Sequence, residues 1–221
     1  MIAKRLATLA LVALIAAAGA AAPARAASTP AIAAFENAFA SINDYTFNLR
    51  SHEQKGGASQ DRVYAYSFMK PHFAKTLIVS GPGSGGGGVW TGGDQVSGHQ
   101  GGILSGFHLK VDLHDGRAIS MLGYTIPDGL LQNVVGMYRS TPGALSEQAS
   151  GKVDGVPTTM IVLIPSNPAS VNGATRCTLY LSNATHLPVR NILYNGGTTI
   201  LDQSFNDVKT NVGLTQNDFP F

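Results

Sequence analysis

Residues 176–205 read RCTLYLSNATHLPVRNILYNGGTTILDQSF, and this stretch decides the fold class. It divides into three strand-like runs, 176–182, 188–194 and 198–205. In the first, Cys177, Leu179 and Leu181 alternate with Thr178 and Tyr180, so the three apolar groups share one face. Asn195-Gly196-Gly197 supplies the positive-φ positions that a tight hairpin needs. No helix-length segment separates the runs. Strands joined this directly pair antiparallel, because a parallel pair requires a long crossover.

The pattern continues outward. Residues 144–150 and 157–164 read as two preceding strands. Nearer the start, Tyr45, Phe47 and Leu49 alternate with polar residues. Tyr64, Tyr66 and Phe68 share one face of a strand at 63–70, and 73–79 forms the next. Phe107, Leu109, Val111 and Leu113 alternate with His108, Lys110, Asp112 and His114. Before them, 12 of the 26 residues from 81 to 106 are glycine, which leaves short strands at Val89-Trp90-Thr91 and 95–99 with loose connections. Two helices are expected. Ser28-Thr29-Pro30 starts one, whose apolar stripe is Ile32, Phe35, Phe39 and Ile42. The other spans 127–139, with Asp128 or Thr125 capping its start. Two helices are too few to cover both faces of a sheet of roughly ten strands. The sheet must curl, close or hold something.

Of the 15 basic residues, Lys4, Arg5 and Arg25 lie within residues 1–26, which contain no acid. That segment has a short positive region, an apolar run from Leu6 to Ala22 and the small-x-small end Ala24-Arg25-Ala26, the pattern of a cleaved secretory signal. The apolar run is short of the roughly 20 residues that span a bilayer. No cysteine follows it to take an acyl anchor. The expectation is a leader at 1–26, removed on export, and a single soluble domain at 27–221. Without the leader, 12 basic and 13 acidic residues remain, too even a balance for a nucleic-acid binder. The lone cysteine excludes a disulfide scaffold, and Cys177 is expected as a free thiol packed beside Leu179 and Leu181.

A search for catalytic chemistry returns little. Gly81-Pro82-Gly83-Ser84-Gly85 lacks the Gly-Lys-Ser/Thr ending and the following helix of a phosphate cradle, and reads as a flexible surface loop. His108 and His114 stand six apart on one strand, about 20 Å, too far to share a metal ion. No Gly-x-Ser-x-Gly elbow occurs. No catalytic residue, metal site or cofactor is assigned, and the protein is not expected to be an enzyme.

Thr185-His186-Leu187-Pro188-Val189-Arg190, then Ser204-Phe205-Asn206-Asp207-Val208-Lys209-Thr210-Asn211-Val212-Gly213-Leu214, then Asp218-Phe219-Pro220-Phe221 resemble the ending of LolA-like proteins. These are the periplasmic lipoprotein carriers and their outer-membrane lipoprotein-sorting relatives. Phe68-Met69-Lys70-Pro71-His72-Phe73 is similar to the family's strand ending in a basic residue, a proline and an apolar residue. Gly93-Asp94-Gln95-Val96 and the opening helix before Tyr45-x-Phe47 also fit. The similarity runs through nearly all of 28–221 and departs in the glycine-rich stretches at 81–88 and 92–106.

The resemblance implies a mainly β (α+β) fold: a strongly curved, open antiparallel half-barrel with a few helices covering its concave apolar face. Under them it implies a cavity for lipoprotein acyl chains or another lipid, lined by Phe35, Phe39, Tyr64, Tyr66, Phe68, Leu109 and Val111. Lys70 takes the place of a basic residue that in relatives hydrogen-bonds to lid segments, so it is expected to gate the cavity. The helix at 127–139 is the expected lid. Its apolar face is Leu130, Leu131, Val134, Val135 and Tyr138, and Gly123, Gly129 and Gly136 weaken the helix and its entry. The function implied is that of a soluble, monomeric periplasmic carrier moving lipid from an inner-membrane donor complex to an outer-membrane acceptor. The alternative is an envelope-stress sensor of the same fold. Such sensors usually carry a further domain, so a chain ending at Phe221 is expected to be the carrier.

Overall fold

The computed structural model describes residues 28–102 and 106–220. The expected leader and Phe221 lie outside these residues. Helix α1 (Pro30–Ala40) begins as its sequence requires: the Thr29 hydroxyl accepts from Ile32 N at 3.3 Å, and Pro30 occupies the first turn, where its missing N–H costs nothing. The chain then changes to period two. It forms β1 (Asp44–Lys55), β2 (Ala58–Met69), β3 (Phe73–Ser80), β4 (Gly87–Trp90), β5 (Gln95–His99) and β6 (His108–Asp112). After a long connection come β7 (Gly143–Val153), β8 (Val156–Pro165), β9 (Arg176–Ser182), β10 (Pro188–Asn195) and β11 (Thr198–Thr210).

Among the described residues these eleven strands make one open antiparallel sheet in the order β6-β5-β4-β3-β2-β1-β11-β10-β9-β8-β7. It is a half-barrel. Two meanders meet where β1 pairs with β11, Leu49 lying opposite both Phe205 and Tyr64. Consequently β6 and β7, neighbours in sequence, lie at opposite edges. The segment joining them must cross the sheet's full width, and it does so over the concave face.

That segment carries a 3-10 turn at Pro127–Gly129 and then helix α2 (Leu131–Ser140). The helix starts four residues later than the periodicity suggested because Leu130 is extended, with ψ 141°. Asp128 serves the 3-10 turn instead, its Oδ2 accepting from Thr125 N and Thr125 Oγ1 at 2.8 and 2.6 Å. The cap for α2 comes from β1. The Tyr45 hydroxyl accepts from Leu131 N at 3.2 Å and donates to Gln132 Oε1 at 2.7 Å.

The two helices fill one half of the concave face. Ile32 and Phe35 of α1 share a buried cluster with Leu131, Val134, Val135 and Tyr138 of α2 and with Ile161, Leu163, Leu179 and Leu193 of the sheet. Cys177 is a free, buried thiol in the same cluster. Polar groups inside this core are paired in series: the Tyr138 hydroxyl donates to Asn191 Oδ1 at 2.7 Å, and Asn191 Nδ2 donates to Gln203 Oε1 at 3.0 Å. The C-terminal residues that carried the resemblance hold the tail down. Phe205 lies 5.6 Å from Phe47, and Phe219 lies 5.9 Å from Phe73. Asp44 Oδ1 accepts from Val212 N at 2.6 Å, and Asn211 Oδ1 accepts from Asn43 N at 2.8 Å.

Candidate functional site

The other half of the concave face is hollow. Strands β1–β6 and the crossing segment at 116–129 enclose a cavity of about 850 Å³. Its wall follows from strand alternation. The inward series of β1 is Leu49, Ser51 and Glu53, that of β2 is Arg62, Tyr64 and Tyr66, and β3 adds Thr76 and Ile78. Leu109 and Val111 of β6 complete it, with Phe107 at the rim, 70% exposed.

The wall beside them is glycine, which lets neighbouring strands and the roof approach closely. Gly87, Gly88 and Gly98 all line the cavity, and Gly88 pairs directly with Gly98. A Cβ on Gly88 would stand 2.9 Å from Ile126 Cδ1 on the opposite side. The turn at 81–86, expected to be loose, is ordered for a packing reason. Gly85 N donates to Ile78 O at 2.8 Å, Ser84 N to Gly81 O at 3.1 Å, and a Cβ on Gly81, whose φ is +94°, would fall 2.2 Å from Asp61 O. Glycine here permits close approach of backbone to backbone.

The roof is the non-helical part of the crossing segment. Leu122, Thr125 and Ile126 are its buried residues. Leu122 N donates to Glu53 Oε2 at 2.9 Å, and Lys55 Nζ reaches Met121 O at 3.4 Å. Gly123, at φ +88°, turns the chain so that Ser120 N reaches Tyr124 O at 2.9 Å. Outside, the Arg117 guanidinium holds the Asp115 carboxyl well below the usual carboxylate range. Burial raises the Tyr64 and Tyr66 hydroxyls, Tyr66 the more, so both are neutral at ordinary pH. Arg62 is tied down by Nε to Pro82 O at 2.8 Å and by Nη1 to the Tyr64 hydroxyl at 3.3 Å.

Of the residues expected to line a cavity, Tyr64, Tyr66, Leu109 and Val111 do so. Phe35, Phe39 and Phe68 lie in the adjoining aromatic cluster, with Phe35 5.4 Å from Phe39 and Phe68 4.9 Å from Tyr45. Lys70 Nζ donates to Phe39 O and Ala40 O at 3.0 and 3.3 Å and lies 4.7 Å over the Phe39 ring. It thus holds the C-terminal carbonyls of α1, where a cation is favoured. Leu130, Leu131, Val134, Val135 and Tyr138 are at most 5% exposed within the core and take no part in the wall. Four buried polar wall residues, Ser51, Glu53, Thr76 and Gln203, have no place in the sequence reading. A signal for the first two exists: the inward series Tyr45, Phe47, Leu49 continues at the same period through Ser51 and Glu53.

No family model and no curated protein matches this chain. Solved structures do. An uncharacterized conserved protein from Thermus thermophilus superimposes with a TM-score of 0.55 at 10% identity, over 86% of this chain and 90% of its own. MucB does so with a TM-score of 0.50 at 14% identity, over 87% of this chain and 63% of MucB, so this chain spans less than two thirds of MucB's length. The LolA superfamily protein NE2245 from Nitrosomonas europaea is also similar, with a TM-score of 0.41 at 10% identity, over 88% and 99% of the two chains. The chain shares the fold of the Thermus thermophilus protein and of MucB. At these identities the likeness is one of fold.

Proposed function

We propose that this protein binds the acyl chains of lipoproteins or other lipids in the glycine-walled cavity and carries them across the periplasm, after export by the leader at 1–26. The observation that carries this reading is the hollow half of the concave face. Its volume of about 850 Å³ falls in the range of about 300–1,000 Å³ usual for ligand sites. Each methylene that enters gains about 0.8 kcal/mol by leaving water, and handing the chain to an acceptor needs no covalent step. We assign the moving lid to the roof at 116–126, which has no helix of its own and is tied to β1 through Glu53 and Lys55, with Lys70 steadying α1. Among the described residues no helix is long and apolar enough to cross a membrane.

A second reading is favoured by the likeness to MucB, one structure of which is a complex with MucA(peri). In it the same cavity reports on lipid to a protein partner. Mass spectrometry of the protein purified from the cell envelope distinguishes the two. Stoichiometric acyl lipid and no retained protein is the expected result. An empty cavity with a stably bound protein would favour the sensor.

A further inference from the structure

The cavity wall is more polar than an acyl chain requires. Inward on three adjacent strands stand Gln203 of β11, Ser51 of β1 and Arg62 of β2, paired directly by register. Glu53 follows Ser51 two residues along the same face. Ser51 and Thr76 are 5% and 8% exposed, and neither hydroxyl makes a hydrogen bond. Thr76 Oγ1 lies beside the Tyr66 hydroxyl without bonding geometry. Buried hydroxyls without partners are costly, and native proteins seldom keep them without a reason. Both belong to the cavity wall. Gln203 adds to the set. Its Oε1 is occupied by Asn191 Nδ2, which leaves the amide N–H groups for the cavity.

Resting on the lipid-binding reading above, we infer that the ligand is an uncharged amphiphile whose hydroxyl-bearing head enters the cavity and bonds to Ser51, Thr76 and Gln203. The chemistry of the set favours an uncharged head. Ser51 and Thr76 both donate and accept, and Gln203 donates, which matches a polyol. Glu53, 4% exposed, places a carboxylate beside them, so a phosphate or fatty-acid carboxylate would meet like charge in a poorly solvated site. Arg62 is the cation of the same wall, held by Nε to Pro82 O and by Nη1 to Tyr64, and the anionic competitors test whether its charge outweighs that of Glu53. The apolar residues Leu49, Ile78 and Val96 then hold the acyl chain. The shared feature is a pair of neighbouring hydroxyls, which a glycerol ester and a sugar-headed lipid both offer.

Displacement of the apolar fluorescent probe 1-N-phenylnaphthylamine tests this, using competitors with one common C18 chain: monoolein, oleyl glucoside, oleate and oleoyl lysophosphatidate. Monoolein or oleyl glucoside is expected to compete roughly tenfold better than oleate, about the value of one or two well-made buried hydrogen bonds. Whichever of the two competes better names the source of the hydroxyls. Ser51→Ala and, separately, the isosteric Thr76→Val are expected to bring that preference down toward one, read as the ratio of competitors within each variant, with a melting temperature no lower than that of the wild type. Equal competition by oleate, a preference for the phosphate, or an unchanged ratio in both variants overturns the inference and leaves the lipid-binding reading standing. Failure of the wild-type protein to bind the probe overturns both.

Discussion

Burial raises the Cys177 thiol from its ordinary value of 9.0 to about 12, and the Tyr124 hydroxyl from 10.0 to about 12. Tyr45 and Tyr138, more deeply buried, are pushed up further. In each case the fold accommodates the neutral form. The unfolded chain releases these protons near their ordinary values, so below pH 9 the stability from neutral burial is fully present. Above that the unfolded state ionises first, and stability is lost as pH climbs toward 12. Melting temperature is therefore expected to hold level up to about pH 9 and then fall. Cys177→Ala should delay the fall until the tyrosines begin to titrate near pH 10, and an identical onset in that variant would contradict the assignment. Cys177 was legible in the sequence because its alternation with Leu179 and Leu181 is unbroken. Gln203 was not, and Ser51 and Glu53 were legible only by extending the period of Tyr45, Phe47 and Leu49. Period-two reading sends polar residues to the solvent face, and these three point inward.

At the scale of elements, α2 was legible and its role was not. An apolar stripe looks the same whether it packs on a core or covers a ligand. The structure surrounds Val134 with the main buried cluster, and α2 is fixed at both ends, by Tyr45 at Leu131 N and by Tyr138 on Asn191. Val134→Glu would bury a carboxylate with no partner there, at a cost that a marginally stable fold does not survive. Circular dichroism is expected to show loss of the cooperative melt. An intact melt with lipid binding abolished would instead return the lid role to this helix. The roof at 116–126 escaped the sequence reading because it has no period at all. Its shape comes from Gly123, the Ser120–Tyr124 bond and its attachment to Glu53.

For the whole molecule, strand order produces core and cavity together. Because β6 and β7 lie at opposite edges, one segment must cover the entire concave face. Its helical half carries enough apolar side chains to fill the space beneath it, and its irregular half faces a wall of glycines. The antiparallel class and the half-filled concave face were legible from strand count and helix count. Which half stays empty was not, since that depends on where α1 and α2 pack on the sheet, which no local period encodes. The most direct measurement is probe binding by wild type and by Leu109→Trp, with melting temperature followed in parallel. Leu109 lines the cavity and is 53% exposed, so the larger ring can turn inward without displacing the buried core. Loss of room for even two methylenes costs about 1.6 kcal/mol, more than tenfold in affinity. A drop of at least that size with a nearly unchanged melt is the predicted result, and wild-type affinity in the filled variant would contradict the cavity as the binding site.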